Sequence, residues 1–161
     1  MSYKTLLENL KMEEMKLFKI TKLSLKKSYS ELNEICINSL LFILYYLENN
    51  NYTLSHICLN DFEFQDQILF LVKDTHIVEL VNNEYVYKEQ PKEKIEFIPK
   101  DISYKNSIHI LYKSVGLFMY YLIKQKIKRE ITDKDLNDIY YSKPYFFIKN
   151  TLDNSPCLIY I

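Results

Sequence analysis

The chain has a single glycine, Gly116, and no tryptophan. Loops that bind nucleotide phosphates need several glycines, because the backbone must approach the ligand closely or adopt positive φ. A P-loop or a dinucleotide-binding turn is therefore excluded. The scarcity of glycine also argues against an all-β fold and favours helices that are joined by turns containing asparagine and lysine.

Excess charge of one sign and long apolar runs are also missing. The 21 basic residues balance the 21 acidic ones, so no overall field directs the protein to nucleic acid or to a membrane surface. The longest strongly apolar run, residues 115–123, is too short to cross a bilayer. Seven lysines within the first 27 residues argue against a signal peptide. We expect an intracellular protein, cytoplasmic or nuclear, without membrane insertion.

Residue types that carry catalysis or bind metals do not form a recognisable motif. The scattered thiols of Cys36, Cys58 and Cys157 lie among apolar neighbours, which is typical of buried thiols in a reducing compartment. His56 and Cys58 are two residues apart, which is not a zinc-finger spacing, and no second pair follows. Chain order alone places no Ser-His-Asp or Cys-His arrangement. We predict no metal, no cofactor and no enzymatic activity.

Hydrophobic periodicity predicts most of the helices. Residues 1–27 form an amphipathic, lysine-rich pattern with Ser2 as a candidate cap. Residues 31–49 are apolar nearly all round, as in a core helix, and three asparagines end the helix because asparagine tolerates the left-handed conformation. The β-prone residues 52–54 follow, and residues 55–59 and 61–72 predict two further helices.

The runs 77–81 and 84–87 are β-branched and aromatic, and Asn82-Asn83 separates them. A two-residue asparagine link suits a type I′ hairpin. The order of long helix, short strand, two helices and hairpin over residues 31–89 resembles the winged helix-turn-helix superfamily. The resemblance implies that residues 61–72 are the recognition helix and residues 77–87 the wing. The predicted fold is mainly α with a small β-hairpin.

Proline-flanked residues 91–100 read as a connector. They separate a basic N-terminal helix (1–30) and a winged-helix domain (31–90) from a C-terminal helical unit (101–161). In that unit we predict a long helix over 103–128, short helices beginning after Thr132 and at Ser142, and a terminal strand at 157–161. This order repeats the first half, so two winged-helix-like units in tandem are one interpretation. The other interpretation is a single winged helix against which the C-terminal helices pack or dimerise.

The predicted recognition helix and wing carry the wrong charge for DNA. Residues 60–87 contain six acidic residues and one basic residue, whereas a helix in the major groove needs cations near the phosphates. Winged helices also serve as protein-binding blocks, as in the ESCRT-II small subunit and RNA polymerase III peripheral subunits, which are similar in that use. We therefore predict a non-catalytic interaction subunit or adaptor of a larger assembly, with other protein subunits as partners or a second copy of the chain. The candidate partner contacts are Asp61, Glu63, Asp66, Tyr85 and Tyr87.

Two alternatives remain open. A nucleic-acid-binding protein, associated with transcription or with ribonucleoprotein, could use basic residues outside the recognition helix, namely Lys124, Lys126, Lys128 and Arg129. The second alternative is an all-helical interaction protein similar to the Bcl-2-like proteins of large DNA viruses, although the tryptophan-glycine signatures of that family are missing and the hairpin would not fit.

Adjacent tyrosines occur at positions 45–46, 120–121 and 140–141. Neighbouring residues on a helix point about 100° apart, so one tyrosine of each pair can be buried while the other is exposed. Exposed tyrosines suit protein interfaces.

Overall fold

The computed structural model describes residues 2–24, 29–65, 68–82, 84–85, 96–99 and 108–152. Within these residues the helices are α1 (Tyr3–Ser24), α2 (Tyr29–Asn49), α3 (Ile108–Lys124) and α4 (Lys143–Leu152), with 3₁₀ segments at Leu59–Asp61 and Asp133–Ile139. The strands are β1 (Tyr52–Leu54), β2 (Phe62–Gln65), β3 (Ile68–Leu71), β4 (Ile77–Val81) and β5 (Glu84–Tyr85). The prediction of a mainly α chain with a small β-hairpin is confirmed, and the all-helical alternative is wrong.

The ends of the helices follow from the residues expected to cap them. The Ser2 hydroxyl accepts a hydrogen bond from the Thr5 backbone N–H (3.2 Å) at the start of α1. Asn51, just beyond α2, adopts the left-handed conformation with φ of 64°. Ser142 precedes α4 and accepts a hydrogen bond from the Tyr145 backbone N–H (3.2 Å). The predicted positions of these helix ends are confirmed.

The segment predicted to be the recognition helix is a β-hairpin. β2 and β3 pair antiparallel, from Phe62 opposite Leu71 to Gln65 opposite Ile68. All four residues of β3 are buried, and the strand contacts both α1 and α2. The recognition helix at 61–72 is therefore wrong. The short helix at 55–59 is also wrong, since only Leu59–Asp61 is helical there.

A second sheet has the strand order β1-β4-β5. β1 and β4 pair antiparallel, with Leu54 opposite Ile77. β4 and β5 form the predicted hairpin, in which Val81 lies opposite Glu84 and only Asn82 and Asn83 separate them. Asn82 has φ of 53°, as a type I′ turn requires at this position. The hairpin at 77–85 is confirmed, whereas the winged-helix resemblance as a whole is not.

The buried side chains form one hydrophobic core to which all four helices and both sheets contribute. α3 and α4 approach closely at Gly116, where a Cβ atom would lie 2.0 Å from the Thr151 hydroxyl oxygen. Phe97, fully buried, packs edge-on against Phe118 of α3 with ring centroids 5.3 Å apart. Among the described helices, none combines the length and the hydropathy that a bilayer-spanning segment requires.

Several predictions fall outside the described residues. The connector 91–100 is described only at residues 96–99, and the terminal strand at 157–161 lies beyond the last described residue. The predicted division of the chain into an N-terminal helix, a winged-helix domain and a C-terminal unit stays a prediction.

Candidate functional site

The predicted partner contacts do not share one helical face. Asp61 is buried, with 3 % of its surface exposed, because its carboxylate turns inward to His76. Its assignment as a partner contact is therefore wrong. Glu63 is exposed on β2, and Tyr85 lies in β5 of the other sheet. Asp66 and Tyr87 lie outside the described residues.

The predicted nucleic-acid contacts at the end of α3 are partly occupied by carboxylates. Lys124 pairs with Asp138, and the Lys128 ammonium lies 2.6 Å from a carboxylate oxygen of Asp135. The Asp135 pKa is lowered to about 2, first by the Lys128 hydrogen bond and then by the Thr132 backbone N–H. Two of the four cations are thus neutralised by the 3₁₀ segment Asp133–Ile139.

The other two cations, Arg129 and Lys126, have different surroundings. The Arg129 Nε donates a hydrogen bond to the Ile98 carbonyl oxygen (3.1 Å), which ties this side chain to the end of the connector. Lys126 is exposed. The structure therefore does not bring the four residues together as one basic surface.

An exposed aromatic cluster lies at the junction of the 3₁₀ segment and α4. We call it the aromatic corner, and it consists of Tyr140, Tyr141, Tyr145 and Phe146. Tyr140, Tyr141 and Phe146 are 57 %, 67 % and 42 % exposed. For the pair Tyr140–Tyr141 the expectation of one buried partner is wrong, because neither residue lies within a regular helix.

The rings of the aromatic corner pack on one another. The Tyr140 and Tyr141 ring centroids are 4.0 Å apart, and Tyr141 stacks on Phe146 at 5.6 Å. Tyr145 meets Tyr140 edge-on at 5.1 Å. The backbone supports this arrangement, since Tyr141 adopts φ of 59° and the Ser142 hydroxyl donates to the Ile139 carbonyl oxygen (2.6 Å). The rings therefore present a preformed surface.

A second group of chemically reactive side chains is buried where the two sheets meet. The register of β1 and β4 continues by one pair past Leu54 and Ile77, where the Ser55 backbone N–H donates to the His76 carbonyl oxygen (2.8 Å). The register of β2 and β3 likewise continues past Phe62, since the Asp61 carbonyl oxygen accepts from the Val72 backbone N–H (2.8 Å). His76 and Asp61 are thus placed by different sheets.

Three side chains form this group, which we call the Cys-Asp-His cluster: Cys58, Asp61 and His76. Their exposed fractions are 1 %, 3 % and 9 %. The His76 Nδ1 lies 2.5 Å from a carboxylate oxygen of Asp61. Cys58 immediately precedes the 3₁₀ segment Leu59–Asp61, and the Asp61 N–H donates to the Cys58 carbonyl oxygen (3.0 Å), which brings both residues to one side of the turn.

His56 flanks the Cys-Asp-His cluster. Its ring is nearly parallel to that of His76, with centroids 5.8 Å apart and planes at 15°. Its Nδ1 lies 2.5 Å from the Ser55 carbonyl oxygen, which is the partner expected for an N–H at that position. Burial lowers the pKa of His56 to about 4, with a smaller effect of His76 in the same direction and an opposing effect of Asp61.

The cluster could hold a metal ion. Cys58, Asp61 and His76 each offer one ligand atom, and these atoms lie within 4.8 Å of one another. The sequence did not lead to a prediction of these three ligands, because only the spacing of cysteines and histidines was weighed and a carboxylate ligand was not. A Cys-x-x-Asp spacing followed by a histidine at the start of a strand was the available signal.

No family model matches the chain, and comparisons with curated proteins and with solved structures gave no significant match. The described residues form a mainly α protein with two small antiparallel sheets, an exposed aromatic corner and a buried Cys-Asp-His cluster.

Proposed function

We propose that this chain is a non-catalytic protein-interaction subunit or adaptor of a larger assembly and that it contacts its partner through the aromatic corner. The observation that carries the proposal is the clustering of three exposed aromatic rings at one junction. Aromatic side chains are enriched in the cores of protein interfaces, where they bury a large area at a small cost in conformational entropy. This proposal keeps the predicted interaction role but assigns the partner contact to residues 140–146 instead of residues 61–87.

The packing of the rings favours a protein partner over single-stranded nucleic acid. Nucleic-acid bases stack on open aromatic faces and need cations along the backbone path. In the aromatic corner Tyr141 has Tyr140 on one side at 4.0 Å and Phe146 in a stacked arrangement at 5.6 Å. The three carboxylates of the adjoining segment Asp133–Ile139 pair with Lys124, Lys128 and Lys149, so these lysines are already engaged and do not form an open row of cations for a phosphate backbone.

This proposal keeps only part of the winged-helix resemblance. It is limited to α2, β1 and the β4–β5 hairpin, a helix followed by a strand that pairs with a later hairpin. A recognition helix is the part that DNA reading would require, and the reduced resemblance does not include it.

The experiment measures the native size of the full chain in cell extract by gel filtration, with and without nuclease. We expect a heavy, nuclease-resistant peak for the wild type and a shift to monomeric size for a triple variant, Tyr140→Ser with Tyr141→Ser and Phe146→Ser. The matched control is Tyr45→Ser, because Tyr45 is an exposed tyrosine on α2, outside the corner. Circular dichroism establishes that each variant is folded.

The possible results distinguish a protein contact at the aromatic corner from the nucleic-acid alternative. A triple variant that stays in the heavy peak would show that the aromatic corner is not the contact. A wild-type peak that collapses on nuclease treatment would favour the nucleic-acid alternative, and Lys126→Glu would then be the first variant to examine.

A further inference from the structure

We propose that Cys58, Asp61 and His76 bind one zinc ion and that this ion fastens the two sheets to each other. The inference is independent of the aromatic corner and of the interaction function. Its basis is the convergence of a thiol, a carboxylate and an imidazole, whose ligand atoms lie within 4.8 Å of one another.

The Cys-Asp-His cluster places a carboxylate, an imidazole and a thiol together in a buried part of the protein. An ionised carboxylate that is removed from water must be paired or must coordinate a metal. Asp61 is shielded from solvent and has the His76 imidazole as its close partner, and the Cys58 thiol lies in the same pocket of side chains. A tetrahedral zinc ion has ligand atoms about 3.3–3.8 Å apart, given Zn–N, Zn–O and Zn–S bonds of about 2.0–2.3 Å. The ligand atoms now lie within 4.8 Å of one another, so binding would draw the most distant of them together by up to about 1 Å, and the Asp61–His76 contact of 2.5 Å would open to about 3.3 Å.

The donor set selects zinc over the common hard cations. Calcium and magnesium prefer oxygen ligands throughout, whereas a thiolate and an imidazole suit zinc. On binding, Cys58 coordinates as the thiolate and its proton passes to solvent. Three protein donors leave one position of a tetrahedral ion for a water molecule. The ring of His56 stacks on that of His76, with centroids 5.8 Å apart, but it is not one of the three converging donors.

The proposed zinc ion would cross-link the two sheets, because its ligands lie where the sheets meet. His76 directly precedes β4, and Asp61 directly precedes β2, so these two donors lie at the ends of strands that belong to two different sheets. The connecting residues 55–58 and 72–76 have no regular secondary structure. A metal cross-link at this point therefore joins two small sheets, each of which has few strands to stabilise it.

The same three residue types could instead form a nucleophile, base and orienting carboxylate. A nucleophilic thiol must reach a substrate, and reactive cysteines are partly exposed. Cys58 and Asp61 are almost completely buried, and His76 is nearly so. The geometry points to coordination rather than to covalent catalysis.

The test is the metal content of the full chain, purified without a metal-binding tag from zinc-supplemented cells. We expect about one zinc per chain in the wild type and its loss in Cys58→Ser and in His76→Asn. Cys36→Ser is the matched control, because Cys36 is an equally buried thiol on α2. Cobalt should give a sulfur-to-metal charge-transfer band in the Cys36→Ser protein and none in the Cys58→Ser protein.

A measurement on the wild type alone keeps the proposal testable if Cys58→Ser does not fold. Chelation should lower the melting temperature and expose Cys58 to iodoacetamide, and zinc should reverse both effects. Wild-type protein with far less than one zinc per chain, or alkylation of Cys58 at the same rate with and without zinc, would overturn the proposal.

Discussion

Glu14 offers the sharpest test of the packing of α1. Its side chain is 2 % exposed, and neither carboxylate oxygen has a hydrogen-bond partner among the described residues. Burial raises the pKa of Glu14 from 4.5 to about 8. The nearby Leu71 backbone N–H and the Lys11 ammonium, neither of which is a hydrogen-bond partner of the carboxylate, offset the rise only in part. The carboxyl group is therefore protonated in the folded protein at neutral pH.

The size and the sign of the effect follow from linkage. Because the folded-state pKa exceeds the unfolded-state value, the folded chain binds the proton more tightly between pH 4.5 and about 8. Glu14 contributes its full stability below pH 4.5 and loses it as the pH rises through the folded pKa. At about 1.4 kcal/mol for each pH unit between the two values, the loss amounts to about 5 kcal/mol. This is a large fraction of the stability of a typical domain.

The assay is urea unfolding at several pH values between 5 and 8. We expect the wild type to lose stability across this range and Glu14→Gln to lose less, so that the variant is the more stable protein at pH 8 by a few kcal/mol. Glu13→Gln is the matched control, since Glu13 is a half-exposed neighbour paired with Lys16. Equal pH slopes for the wild type and Glu14→Gln would refute the buried, unpaired state of this carboxyl group.

Two further predictions concern the contacts between elements. Gly116→Ala should lower the free energy of unfolding by about 1–3 kcal/mol despite the better helix propensity of alanine, because the new Cβ meets the Thr151 hydroxyl oxygen at 2.0 Å. Adding Thr151→Ala should recover most of the loss in a double-mutant cycle, and a stabilised single variant would contradict the close approach of α3 and α4. Ser39→Ala should cost about 1–3 kcal/mol in urea unfolding, because it leaves the buried Leu69 N–H without the Ser39 hydroxyl that accepts its hydrogen bond (2.9 Å). An unchanged unfolding midpoint would show that Ser39 does not support β3.

The segment 62–71 illustrates where sequence reasoning failed. Its apolar residues fit a helical spacing, yet a continuous apolar run such as 68–71 is equally typical of a buried strand. Periodicity cannot separate the two states over so short a length. The contacts of β3 with α1 and α2, and the hydrogen bond from Leu69 to Ser39 thirty residues earlier, decide in favour of the strand.

The Cys-Asp-His cluster was missed for a related reason. Its members lie 3 and 15 residues apart in the chain, and no local pattern connects Asp61 to His76. The continuation of two separate strand registers, at Ser55–His76 and at Asp61–Val72, brings these side chains together. Long-range pairing of this kind is not encoded in a short motif.

Interactions between residues close in the chain were sufficient to predict the four α-helices and the β4–β5 hairpin. Helical periodicity, capping serines, left-handed asparagines and a two-residue turn all act within a few residues, so they can be read from the order of the amino acids. The burial of Asp61, the hairpin in place of a recognition helix and the exposed aromatic corner depend on which surfaces pack together. Only the tertiary structure determines those properties, because the free energy of burial depends on contacts between residues that are far apart in the chain.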